Sequence, residues 1–97
     1  MIKHIVMFRF KEPENKDEVL REIKSRIDGL KEKIHVLHSI EGGINFSTRD
    51  VAFDIALNSD FCSRKDLEEY RVHPAHLELI AFLKQFEYEV VVCDYEY

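Results

Sequence analysis

The segment Ile2 to Phe10, IKHIVMFRF, carries apolar side chains at both parities: Ile2, Val6, Phe8 and Phe10 on one side, Ile5 and Met7 on the other. Its alternation and its β-branched and aromatic residues predict a strand. Glu87 to Tyr95 reads the same way, with Val90 and Val92 on one side and Val91, Cys93 and Tyr95 on the other. A sheet with helices on one face normally has a polar opposite face. Here both faces are apolar, so something must cover the second one. A second copy of the chain is the simplest cover, and the expectation is a homodimer with sheets packed face to face.

Between these strands the spacing predicts two helical regions and two further strands. Val19, Leu20, Ile23, Ile27 and Leu30 recur at three- and four-residue intervals and give a helix with one apolar stripe. Residues 12–15 form a turn before it. Asn15 and Glu18 make a capping-box pattern at its start, and Gly29 marks its end. A second strand is expected from about Val36 to Ile44, bulged at Gly42–Gly43, and a third from Val51 to Asp60. Ser63 with Asp66 opens a second helix. Pro74 removes an amide donor and biases His73 away from helical geometry, so that helix stops near Val72. A new one runs from Pro74 to about Gln85. The order βαββαβ predicts an α+β, ferredoxin-like sandwich, with an antiparallel sheet in the order 4-1-3-2 and the second helix broken at Pro74.

Ninety-seven residues make one domain, residues 1–97. With 14 basic against 19 acidic residues, the chain lacks the positive excess that displaces counterions from phosphates, which argues against nucleic acid. Lys3, His4 and Arg9 interrupt the apolar start, so it reads neither as a signal peptide nor as a membrane segment, and a cytoplasmic protein is expected. Two cysteines are too few for a disulfide framework. Cys93 reads as a small buried hydrophobe, and Cys62 sits beside a helix start, where a thiolate is favoured.

The expected topology gathers polar groups at one end of the sandwich. Strand one starts where its neighbour, strand four, ends, which brings His4 near Asp94. Tyr70, His73 and His76, in EYRVHPAH, lie in the first turns of the helical region that begins at this same edge. A carboxylate among apolar neighbours needs a donor, and an imidazole N–H supplies one. The sequence hypothesis makes His76 a general acid or base held by Asp94. Tyr70 donates to a developing oxyanion, and His4 assists binding. The competing reading is structural: Tyr70 as core, His4 as a satisfied core histidine and His73 as a turn residue. Two histidines three apart around a proline are not a specific metal pattern. His35 and His38 fall on the far edge and carry no role.

KHIVMFRFK, DFCSRKDLEEY, YRVHPAH and VVVCDY together resemble the stress-responsive A/B barrel domain family, over nearly the whole chain. The resemblance implies a dimeric α/β barrel built from ferredoxin-like subunits. The family includes plant polyketide cyclases, olivetolic acid cyclase among them, in which a tyrosine and a histidine act as acid–base groups. Those positions match Tyr70 and His76, with Asp94 as the supporting aspartate and His4 as the histidine near the amino terminus. The implied activity is cofactor-independent acid–base chemistry on a small, apolar, polyketide-like carbonyl compound. Its pocket would be lined by His4, Phe8, Ile55 and His73. Ile55 departs from the cyclases, which carry another histidine there. Some family members hold magnesium through backbone carbonyls near the end of the first helix. The alternative is a non-catalytic stress-response or ligand-binding protein whose polar cluster is structural.

Overall fold

A computed structural model describes residues 1–11 and 13–97. Its sheet has the order β2-β3-β1-β4, which is 4-1-3-2 read from the other edge. Strands β1 (Ile2–Phe10), β2 (Leu37–Ile44), β3 (Ile55–Phe61) and β4 (Tyr88–Glu96) are all antiparallel to their neighbours. Helices α1 (Lys16–Asp28), α2 (Leu30–Lys33), α3 (Arg64–Arg71) and α4 (Pro74–Leu83) complete the ferredoxin-like order.

The apolar periodicity becomes the core. Ile2, Val6, Phe8 and Phe10 of β1 are buried under Leu20, Ile23 and Ile27 of α1, Leu67 and Tyr70 of α3, and Leu79 and Leu83 of α4. Helix α1 lies close over β2 at Gly42, where a Cβ would stand 3.4 Å from the Ile27 side chain. Asp28 seals this approach by accepting from the Gly42 amide at 2.8 Å and from Lys24 Nζ at 2.7 Å. Gly42 thus serves helix packing. The register irregularity of β2 lies between Leu37 and Ser39, not at the glycines.

Four local expectations change. Asn15 starts α1 through its backbone alone: it sits at φ 58° and its side chain caps nothing, so the capping box does not form. Asparagine tolerates this left-handed geometry. The turn expected over residues 12–15 includes Glu12, which lies outside the described residues. Gly29 does not end the helical region but joins α1 to the short α2 with right-handed helical φ and ψ of −71° and −15°. Strand β3 starts at Ile55 rather than Val51, because Asp54 is captured by β1: its amide donates to the Phe8 carbonyl and its carboxylate accepts from the Phe10 amide. Cys93 is exposed, since it points to the face away from the helices. Two breaks fall as the sequence predicts. Ser63 Oγ accepts from the Asp66 amide at the start of α3, and Pro74 opens α4.

The helical layer stops short of β4. Val90 and Val92 share the helix side with Phe8 and Val6, yet remain 48% and 58% exposed. On the opposite face Met7, Val91 and Tyr95 are 39%, 43% and 46% exposed. The chain presents 6481 Å² of surface, whereas size scaling gives about 5,800 Å² for a compact monomer of 11.5 kDa. No helix among the described residues is long and apolar enough to cross a membrane.

Candidate functional site

Register places His4 directly opposite both Ser59 and Asp94. Facing residues on adjacent antiparallel strands are the nearest cross-strand partners a side chain has. His4 Nδ1 accordingly meets Asp94 Oδ1 at 2.5 Å, and Ser59 Oγ donates to the His4 carbonyl at 3.1 Å. Asp94 thus holds the imidazole and Ser59 the main chain behind it, with His4 and Ser59 buried and the Asp94 side chain 42% exposed. This corrects the pairing expected from the sequence: Asp94 binds His4, and His76 finds a different acceptor.

That acceptor is main chain. His76 Nδ1 donates to the Arg71 carbonyl at 3.0 Å, which the end of α3 leaves free. The bond fixes the neutral tautomer with its proton on Nδ1, so Nε2 is the nitrogen able to take a proton. Burial lowers the His76 pKa. The Arg71 bond opposes this, while the electrostatic influence of neighbouring His4, Arg71 and His73 lowers it further. A neutral imidazole at pH 7 follows.

Tyr70 is the centre of the arrangement. Its ring is fully buried, with centroids 4.4 Å from His76, 5.1 Å from Phe61 and 6.0 Å from His4. Its hydroxyl is buried too and has no hydrogen-bond partner among the described residues. Burial raises its pKa well above the ordinary tyrosine range, so it remains an O–H donor at neutral pH. An unpaired buried hydroxyl costs about 1–3 kcal/mol.

The remaining expected site residues fall elsewhere. His73 is the N-cap of α4, and its Nδ1 accepts from the Ala75 amide at 3.0 Å. That nitrogen is therefore occupied by the fold, although His73 lies on the same kink as Tyr70 and His76. Phe8 and Ile55 face each other in the core, four residues along their strands from the His4–Ser59 pair. Phe8 packs on Phe10 and Tyr88 rather than on the cluster. A surface hollow of about 250 Å³ bordered by Asp94, Ile2 and Arg64 touches the cluster at Asp94.

Ser59 and the Arg71 carbonyl are the participants that the sequence reading missed. Ser59 had a signal, since it is the lone small polar residue between buried Leu57 and Phe61 on one strand face. A carbonyl freed at a helix end has no side-chain signature.

A cation near the end of α1 is a poor fit. The Asp28 carboxylate and the Gly42 carbonyl there already receive the Lys24 ammonium, each at 2.7 Å. No group of three or more His, Cys, Asp or Glu side chains among the described residues is placed to hold a metal ion.

Comparison with known proteins places this constellation in context. An uncharacterised protein of Streptomyces coelicolor is 33% identical over 99 residues, covering 100% of both chains. A dimeric ferredoxin-like protein of unknown function from Bacteroides fragilis superposes with a TM-score of 0.90 at 33% identity, over 99% of this chain and 95% of the other. A hydroxynitrile lyase from Passiflora edulis shares the fold, with a TM-score of 0.71 at 22% identity over 97% and 90% of the two chains. The family model described as the stress responsive A/B barrel domain matches residues 2–97. With the sheet order, the kinked second helix and the His4–Asp94 pair now located, this chain belongs to the stress-responsive A/B barrel domain family.

Proposed function

We propose that the Tyr70–His76 pair, supported by His4 and Asp94, performs cofactor-independent proton transfer on a small carbonyl compound. The observation that carries this reading is the Tyr70 hydroxyl: a donor kept protonated, buried and without an acceptor. A carbonyl oxygen is the group that satisfies it. His76 Nε2 then removes a proton from the carbon beside that carbonyl. The C–H bond breaks, an N–H bond forms, and the electron pair moves onto the oxygen as an enolate to which Tyr70 donates. Return of the proton, or attack of the enolate on a second carbonyl, completes a turnover.

The His4–Asp94 pair supports the arrangement through the packing of the His4 ring against Tyr70. The exposed helix-side residues Val90 and Val92 of β4 offer an apolar floor leading away from Asp94. The tight packing of rings around Tyr70 favours a second reading, in which the cluster is structural or binds a ligand without turning it over.

Exchange of the α-protons of 2-octanone in D2O, followed by proton NMR, separates the two. The catalytic reading expects exchange faster than in buffer, abolished by His76→Ala and reduced roughly 10²-fold or more by Tyr70→Phe. Exchange at the buffer rate with folded wild-type protein removes proton transfer at this class of ketone.

We further propose that the chain is a homodimer through the outer sheet face. That face carries Ile5, Met7, Val91, Cys93 and Tyr95 in adjacent rows, partly open to solvent. The surface excess over a compact monomer and the dimeric Bacteroides fragilis relative support this assembly.

A further inference from the structure

Phe46 is 98% exposed, the most exposed large hydrophobic side chain among the described residues. It does not hang from a slack loop. Asn45 Oδ1 accepts from the Ser47 amide at 2.9 Å, and Asn45 Nδ2 donates to the Ser47 carbonyl at 2.8 Å. Ser47 Oγ accepts from the Arg49 amide, the Ala52 amide donates to the Arg49 carbonyl, and the Asn45 amide donates to the Asp54 carbonyl. These bonds close the loop on itself and present the ring outward. Beside it lies a hollow of about 550 Å³ whose apolar border includes Met7, Ile44, Val51 and Ala56. Val51 is itself 71% exposed. Met7 and Ala56 pair across β1 and β3 on the outer sheet face, so the hollow continues the face assigned above to the dimer.

A preorganised aromatic knob and an apolar hollow on one continuous surface are what a two-fold contact requires, since each copy must offer both halves of it. We propose that the β2–β3 loop is a dimer anchor: Phe46 of each copy is buried in the hollow of the other. This inference rests on the homodimer reading and extends it from the sheet to the loop. The loop then explains why a chain of this size keeps a rigid phenyl group in water.

Sedimentation equilibrium of wild type, Val91→Arg and Phe46→Ser tests it. Wild type is expected to be dimeric at low micromolar concentration. Val91→Arg, in the middle of the sheet face, is expected to be monomeric. Phe46→Ser is expected to dimerise with a dissociation constant raised roughly tenfold to a hundredfold, as loss of one buried aromatic anchor implies. If Val91→Arg is monomeric and Phe46→Ser dimerises like wild type, the loop anchor is wrong and the sheet dimer stands. If wild type is monomeric, both fall. Phe46→Ser should keep wild-type far-ultraviolet circular dichroism, and a variant that fails to fold shows the ring to be structural and also overturns the anchor. Isotope-filtered NMR on mixed labelled and unlabelled protein gives a second reading. Contacts between the Phe46 ring and the Met7 methyl across copies support the anchor, and their absence in a dimer contradicts it.

Discussion

His73 and His76 stand three residues apart and do opposite things with the same atom. His73 Nδ1 accepts from the Ala75 amide, whereas His76 Nδ1 donates to the Arg71 carbonyl. His73→Ala should therefore cost about 1 kcal/mol, the usual value of a lost N-cap, and lower Tm by about 4–8 °C. His73→Asn, whose side chain can also cap, should restore most of that loss in thermal unfolding. For His76 the sign runs through its lowered folded pKa. As pH falls below about 6.5 the unfolded chain takes up the proton first, so the stability conferred by the neutral buried ring is lost on acidification. His76→Gln should show a flatter stability profile than wild type between pH 7 and 5 in urea unfolding. Equal slopes would place the titration elsewhere.

At the scale of elements, what was legible follows from period and punctuation. The apolar stripe of α1, the Ser63 cap and the Pro74 break are local signals, and each lies within a few residues of its effect. The end of β3 was legible but its start was not. Val51 to Asp54 look like strand, yet Asp54 is held by the Phe8 carbonyl, the Phe10 amide and Lys16 Nζ, partners about forty residues away. The site shows the same division. Parity put His4 and Asp94 at one end of one sheet face, while the choice of partner for Asp94 depended on register, which parity does not fix. The docking of α1 on β2 gives a test at this scale. Burial pushes the Asp28 carboxyl up, but its bonds from Lys24 and Gly42 outweigh burial and hold the pKa below the usual value. Asp28→Ala leaves the Gly42 amide without its acceptor and should cost about 1–2 kcal/mol. The wild-type contribution should disappear as pH falls below the ordinary carboxylate range, so wild type and variant should converge in acid urea titrations.

For the whole molecule, two features stand apart from what the fold needs. One is the outer sheet face, apolar in its middle and bounded by a polar corner where Asp60 accepts from Lys3 at 2.8 Å and from Ser39 and Tyr97 at 2.5 Å each. Burial raises the Asp60 pKa, and these three bonds outweigh it to hold the carboxyl at about 2. The ionised corner should therefore persist through mildly acid solution and fail as pH falls towards 2. The other feature is the Tyr70 hydroxyl, which the fold buries without a hydrogen-bond partner among the described residues. A monomer optimised for stability alone would keep neither.

Thermal unfolding of Tyr70→Phe, without ligand, tests the functional claim at its root. If the hydroxyl is held for an incoming acceptor, its removal relieves an unpaired buried polar atom. Tm should then rise by several degrees, about 4–8 °C for each kcal/mol gained. A fall in Tm would show that the hydroxyl holds the structure together, and would contradict the account.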